Sequence, residues 1–299
     1  MRIPESCAKC LYDRQKNRCA DEEYLKEVRR IIDQRSEDDV SPLLVYRFDQ
    51  AYARRFGEGD GYAAVKRRYN DKMLELEPRF RERIEKSADP AKTALLYARV
   101  GNYIDYGAMD TVDEGTFFGL FEGAALRESE EEIYDHLMRD CGAGKSFLLI
   151  ADNCGEIVLD KMFLEQLKKR FLRLDLQVMV RGGEVLNDVT AADAAYTGMD
   201  RIAKILTNGA AVAGTVYTML PEESRAALDG ADVVLAKGQG NYESLSGQGR
   251  HIYYSFLCKC DLFMKRFNVP KLTGMLAEQG RAARLIDSEM RFAREIASQ

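Results

Sequence analysis

Histidine is scarce in this chain of 299 residues, which holds two copies, and proline is limited to six. So few histidines leave little room for catalysis by a serine or cysteine nucleophile paired with an imidazole base. No apolar run approaches the roughly 20 residues that cross a bilayer, so no membrane partner is expected. The opening MRIPESCAKC lacks the apolar core of an export signal. Positive charge is not in excess: 44 Lys and Arg stand against 49 Asp and Glu, a net charge of −5. With no basic tail or block there is no bulk field to attract nucleic acid, and none is expected as a partner. Seven cysteines without an export signal point to reduced thiols and a cytoplasmic location.

What is present is ordinary globular material, 46% hydrophobic and 31% charged. The first half reads as successive helices. Tyr24, Leu25, Val28, Ile31 and Ile32 recur at helical spacing, and a charged helical stretch over 62–85 is expected to break at Pro78. A further helix follows Pro90, and an acidic, solvated one spans 127–139, with His136 at its surface. From about Ser146 the pattern changes. Short apolar runs at 147–151, 176–180, 204–207, 232–236 and 252–257 alternate with helical segments. That alternation predicts an α/β fold, a three-layer α/β/α sandwich with a mostly parallel sheet, joined to an N-terminal helical region. The division expected is a mainly helical region over 1–144 capping the site and an α/β/α core over 145–299.

Ligands of open parallel sheets bind at the carboxyl ends of the strands. Three polar clusters fall there: 152–156 after the first strand, 181–190 after the second and 237–243 after the fourth. Asp152, Asn153 and Asp188 offer two carboxylates and an amide oxygen, a hard donor set suited to Mg²⁺ or Mn²⁺. Glu156 completes the first cluster on the substrate side. Lys237 and the glycines after it, Gly238 and Gly240, could neutralise and cradle a phosphoryl group. Each cluster taken singly also reads as a helix cap. The Gly238–Glu243 stretch is no dinucleotide fingerprint, and Gly144-Lys145-Ser146 precedes its strand instead of following it, so neither nucleotide motif applies. Cys7 and Cys10 form a Cys-x-x-Cys pair, with Cys258 and Cys260 far along the chain. Zinc at Cys7 and Cys10 is conceivable, but a full site takes about four ligands, and unmetallated thiols serve equally well. Cys19, Cys141 and Cys154 read as small buried residues.

These stretches carry a resemblance. Cys7-Ala-Lys-Cys10-Leu-Tyr-Asp-Arg-Gln15, Gly101-Asn102-Tyr-Ile-Asp105, Asp152-Asn-Cys-Gly-Glu-Ile-Val-Leu-Asp160, Asn187-Asp-Val-Thr190 with Asp193, Lys237-Gly-Gln-Gly-Asn-Tyr-Glu243 and Lys259-Cys260 occur in order along nearly the whole chain. In them the chain resembles the DUF89 family, also called the ARMT1-like or damage-control phosphatase family, in its short prokaryotic and archaeal branch. The resemblance implies a phosphatase dependent on a divalent metal (Mn, Mg, Co or Ni). Carried over, the ligands would be Asp152, Asn153 and Asp188. Lys237 through Asn241 would wrap the phosphate, Lys259 would touch it as well, and Asn102 and Asp105 would close the pocket from the helical half. Glu184 departs from the pattern and adds a carboxylate near the pocket.

The expected activity is hydrolysis of phosphomonoesters of small metabolites, sugar phosphates or damaged phosphometabolites, by metal-activated water. An aspartyl-phosphate route through Asp152 ranks second. The rivals are a carboxyl methyltransferase using S-adenosylmethionine and a non-catalytic metal- or metabolite-binding regulator. The methyltransferase is disfavoured, because the loop at 152–155 is polar and holds one glycine.

Overall fold

The computed structural model describes residues 3–57, 61–103 and 114–281. Among the described residues seven helices come first: α1 (Glu5–Arg18), α2 (Glu22–Asp33), α3 (Ser41–Phe56), α4 (Ala63–Lys86), α5 (Pro90–Gly101), α6 (Glu114–Glu122) and α7 (Glu128–Ala143). Strands and helices then alternate: β1 (Ser146–Ile150), α8 (Glu156–Arg170), β2 (Asp175–Val180), α9 (Ala191–Tyr196) and β3 (Lys204–Thr207). They continue with α10 (Glu222–Gly230), β4 (Val233–Lys237), α11 (Gln239–Leu245), β5 (Ile252–Leu257), α12 (Asp261–Phe267) and β6 (Gly274–Gln279).

The six strands form one sheet in the order β3-β2-β1-β4-β5-β6. Strands β1 to β5 run parallel, and β6 pairs antiparallel with β5 at the edge. This is the α/β architecture expected, with one strand, β6, that the apolar pattern did not announce. The order reverses between β1 and β4, so a crevice opens there at the strands' carboxyl ends.

The sheet is buried on both faces because successive side chains of each strand point to opposite sides. Phe147 and Leu149 join a core with Phe80, Leu95, Phe163 and Leu167, from α4, α5 and α8. Leu148 and Ile150 join another with Leu228, Tyr242 and Phe263, from α10, α11 and α12. Helix α8 is buried nearly all round since it lies between the sheet and α4 and α5: Ile157, Leu159, Phe163 and Leu164 are fully covered, and so are the polar Glu156 and Asp160. Helices α1 to α3 build a smaller core of their own around Tyr24, Val28, Leu44 and Phe48.

Two local expectations fail for physical reasons. Helix α4 runs through Pro78 without ending. Proline inside a helix costs roughly 3 kcal/mol, and the burial of Leu76, Phe80 and Ile84 on the same helix offsets that loss. Helix α7 is not a solvated helix throughout: Tyr134, Leu137 and Cys141 are buried, and Asp140 in its last turn meets Tyr253 of the sheet. His136 is half-buried and bonded to Glu278, not a free surface residue.

Glu130, 1% exposed, ties α7 to the sheet edge. Its carboxylate accepts from the Leu276 N–H at 2.6 Å and from Arg99 at 3.1 Å, and Arg127 donates to it through both backbone and side chain. Burial pushes this carboxyl up, but the Arg127 hydrogen bonds and the Arg99 charge outweigh it and hold the group below its ordinary 4.5. Its contribution is therefore complete above the ordinary value and lost as pH falls through the lowered folded one. Glu130→Ala should cost about 3–5 kcal/mol, because it strands a buried Arg99. Urea melts at pH 7 and at stepwise lower pH check this; a Glu130→Gln protein as stable as wild type at pH 7 would refute it.

Candidate active site

The site is assembled by backbone before side chains enter it. Beyond β1, the Asp152 carbonyl accepts from the Val189 N–H at 2.9 Å, and the Cys154 N–H donates to the Asn187 carbonyl at 2.8 Å. Asn153 and Asp188 thereby pair as an isolated antiparallel bridge. The Arg181 N–H donates to the Val189 carbonyl at 2.8 Å and fastens the same loop to the end of β2. Asp152, Asn153 and Asp188 are in this way brought together, from chain segments that lie more than a whole helix apart.

Arg181 is the residue that joins them electrostatically. Its guanidinium, 1% exposed, donates to Asp188 Oδ2 at 2.6 Å and to Asp152 Oδ1 at 3.1 Å. The third arm reaches Asn241 Oδ1 at 3.0 Å. Sequence reasoning gave Arg181 no role, although a basic residue directly after an apolar strand was a readable signal.

Asp152 Oδ2 is held by two amides, Asn102 Nδ2 at 2.9 Å and Asn153 Nδ2 at 2.8 Å. The same two amides donate to Glu156 Oε2, at 2.9 and 3.0 Å. Asn102 reaches this position because α5 ends against the start of α8: a Cβ on Gly101 would lie 2.7 Å from Leu159 Cδ1. Glu156 Oε1 accepts from Lys237 Nζ at 2.6 Å, and Lys237 also donates to Asp160 Oδ1 at 2.7 Å and to the Ala98 carbonyl at 3.0 Å. Those contacts use the three donors of the ammonium group, which is fully buried. Burial works against its charge, but Asp160 and Glu156 reverse that and hold the lysine protonated, above its ordinary value. Burial pushes the Asp160 carboxyl up against the pull of Lys237.

The loop after β4 approaches as closely as a chain can. Gly238 has φ +78°, and a Cβ there would stand 2.0 Å from Asp152 Oδ2. A Cβ on Gly240 would stand 2.2 Å from the Ala213 carbonyl oxygen. Asn241 is spent on structure as well as on Arg181: its amide donates to the Ala151 carbonyl at 3.1 Å and the Lys237 carbonyl at 2.6 Å, and Thr215 donates to its oxygen at 2.9 Å. Lys259 donates its backbone N–H to Gln239 Oε1 at 3.1 Å, which links it to the same loop. Glu184 faces Lys66 at 2.7 Å, beside Asp193. Asp105 lies outside the described residues.

Asp152, Asn153, Asp188, Asn102, Glu156, Lys237, Gly238, Gly240 and Asn241 thus belong to one connected network. It holds four carboxylates, Asp152, Glu156, Asp160 and Asp188, against two basic groups, Arg181 and Lys237. Carboxylates outnumber basic groups here, and a negative surplus remains even with Asp160 neutral. Asn102 Oδ1 is buried with no donor among the described residues, and so is Asn187 Nδ2, beside Asp188, with no acceptor. Hard oxygens, surplus negative charge and an orphaned acceptor fit a divalent metal with waters or a phosphate.

Among the described residues the cysteines are unbridged and form no set of three with acidic or histidine ligands. The set whose ligand atoms lie within 4.8 Å of one another is Asp140, His251 and Glu278, which fits a divalent metal. Cys141 and Cys154 are buried as expected, whereas Cys19 is only half-buried. Among the described residues no helix is long and apolar enough to cross a membrane.

The chain is similar to known proteins of one family. A damage-control phosphatase of Archaeoglobus fulgidus is 31% identical over 278 residues, covering 87% of this chain and 93% of the relative. A damage-control phosphatase of Pyrococcus horikoshii is 25% identical over 213 residues, 68% of this chain and 72% of its own. The crystal structure of a DUF89 family protein from P. horikoshii superposes with a TM-score of 0.77 at 19% identity, covering 93% of this chain and 99% of the other. The model of the damage-control phosphatase ARMT1-like domain matches residues 2–273, and the chain belongs to that family.

Proposed function

We propose that this protein is a divalent-metal-dependent phosphatase that hydrolyses phosphomonoesters of small metabolites, sugar phosphates or damaged phosphometabolites. The observation that carries the reading is the convergence of Asp152, Asn153 and Asp188 at the point where the strand order reverses, inside a network with surplus negative charge. Membership of a family with relatives named damage-control phosphatase supports it.

Asp152, Asn153 and Asp188 would hold the cation. Once bound, it supplies an activated water and neutralises charge on the phosphoryl oxygens, so no histidine base is needed. The chain's own residues orient the ligands. Arg181 pins one oxygen of each carboxylate, and Asn102 and Asn153 pin the second oxygen of Asp152. Lys237 acts through Glu156, fixing the acceptor on which both amides rest. Gly238 lets the loop close on Asp152 and Gly240 lets it close on the Ala213 carbonyl, and the start of α11 would face the phosphate. Lys259, tied to the same loop through Gln239, would add positive charge for the phosphate. With three oxygens assigned to the cation, hydrolysis by water is preferred over attack by Asp152 itself.

Metal-free protein assayed with p-nitrophenyl phosphate should be inactive and recover with Mn²⁺, Co²⁺ or Mg²⁺. Asp152→Asn and Asp188→Asn should reduce turnover to background while keeping the fold. Turnover that persists in chelator, or in Asp188→Asn, defeats the scheme. Gly238→Ala forces a methyl group into Asp152 at a positive φ, so it should lose activity and about 1–3 kcal/mol of stability. Paired turnover and melting measurements check that; a Gly238→Ala protein that works normally would show the loop has room to spare.

A further inference from the structure

The chain has two histidines, His136 and His251, and both meet the same carboxylate, although 115 positions of sequence separate them. His136 Nδ1 lies 2.7 Å from Glu278 Oε2, and His251 Nε2 lies 2.7 Å from Glu278 Oε1. Asp140, one helical turn beyond His136 on α7, sits with Oδ2 4.0 Å from His251 Nδ1. His251 immediately precedes β5, and Glu278 stands opposite Tyr253 on the antiparallel strand β6. The cluster is therefore at the amino ends of the parallel strands, on the far edge of the sheet from Asp152 and Gly238. Its members are shielded: side-chain exposure is 6% for His251, 10% for Glu278 and 15% for Asp140.

We propose that Asp140, His251 and Glu278 form a second metal site, selective for a first-row transition ion of the zinc class. One imidazole and two carboxylates, with ligand atoms within 4.8 Å of one another, make a three-ligand set that leaves coordination positions for water. The imidazole favours Zn²⁺ over Mg²⁺, which prefers oxygen alone. His136 is a positioning residue: it holds the outer oxygen of Glu278, as partners of ligating groups commonly do. Filled, the site would staple α7 to the edge pair β5–β6.

Arg281 competes for the same oxygens. Its Nε lies 2.5 Å from Glu278 Oε1 and its Nη2 lies 3.2 Å from Asp140 Oδ2, where Tyr253 also donates at 2.6 Å. The guanidinium supplies the positive charge that two neighbouring carboxylates require, and an incoming metal ion takes over that role. A metal site and a mere ion-pair network therefore predict opposite effects for removing Arg281. The inference is independent of the phosphatase reading, because no residue is shared between the two places.

The test is zinc titration of the full chain by calorimetry, with bound metal counted after dialysis. Wild type and Asp188→Asn should both show a zinc site, which separates it from the proposed catalytic one. His251→Ala and Asp140→Asn should lose it. His136→Gln should weaken binding about 10–100-fold while leaving the melting temperature in chelator unchanged. Arg281→Ala should bind zinc more tightly than wild type. Should His251→Ala and Asp140→Asn titrate like wild type, or Arg281→Ala bind more weakly, the proposal is overturned. If His251→Ala fails to fold, the Arg281→Ala comparison decides alone.

Discussion

Two carboxylates that repel each other must be kept at adjacent strand ends before any cation can use them. Arg181 solves that problem. A single buried guanidinium touches Asp152, Asp188 and Asn241, and so reaches the ends of β1, β2 and β4 at once. The planar fork suits the task, since its donors diverge at fixed angles and its charge persists in a dry setting. Lysine could satisfy the charge at this place, but its three donors share one nitrogen and lack the span of a guanidinium whose Nε, Nη1 and Nη2 each meet a different side chain. The loop at 187–189 zips onto the chain after β1 through backbone bonds, yet those bonds alone would leave like charges facing each other.

Beneath this lies a second buried ion cluster. Lys237, Glu156 and Asp160 are each no more than 1% exposed, and taking such groups from water costs several kcal/mol per ion. An apolar trio of the same volume would fold at least as well. What the ions provide is direction: Glu156 is held at one oxygen by Lys237 and presents the other to Asn102 and Asn153. Those amides then set Asp152. Stability is given up beneath the site so that its surface side chains have one orientation, in keeping with the need to preorganise charge around a transferred phosphoryl group.

Much of this was legible beforehand. Five runs became β1 to β5, because strands covered on both faces are mostly apolar; the edge strand β3, Lys204-Ile-Leu-Thr207, is the least covered and the least apolar of them. The clusters at 152–156, 187–190 and 237–241 meet because parallel strands deliver their following loops to one edge. Strand β6 was not legible: Gly274-Met-Leu-Ala-Glu-Gln279 is an edge strand with polar residues in its second half, and nothing in its pattern demands burial. Nor was the direction of Lys237. A lysine after a strand can point up toward a ligand or down into the core. The choice here depends on Asp160, one helical turn along α8 from Glu156, and periodicity does not report that pairing. The meeting of His136 and His251 at Glu278 is equally silent in sequence, being made by helix packing across the sheet edge.

The helical half is more than a cover. Asn102 caps α5, and α5 can approach α8 closely enough only because residue 101 has no side chain. The Ala98 carbonyl, one turn earlier, is a direct acceptor for Lys237. A single helix end thus touches both ion layers, the buried one through a backbone oxygen and the upper one through an amide. Any shift of α5 along α8 would disturb Lys237 and Asp152 together. The apolar contact that fixes this register, Gly101 against Leu159, carries no charge and takes part in no chemistry. It is nonetheless what sets the distance between the amide of Asn102 and the carboxylates it holds.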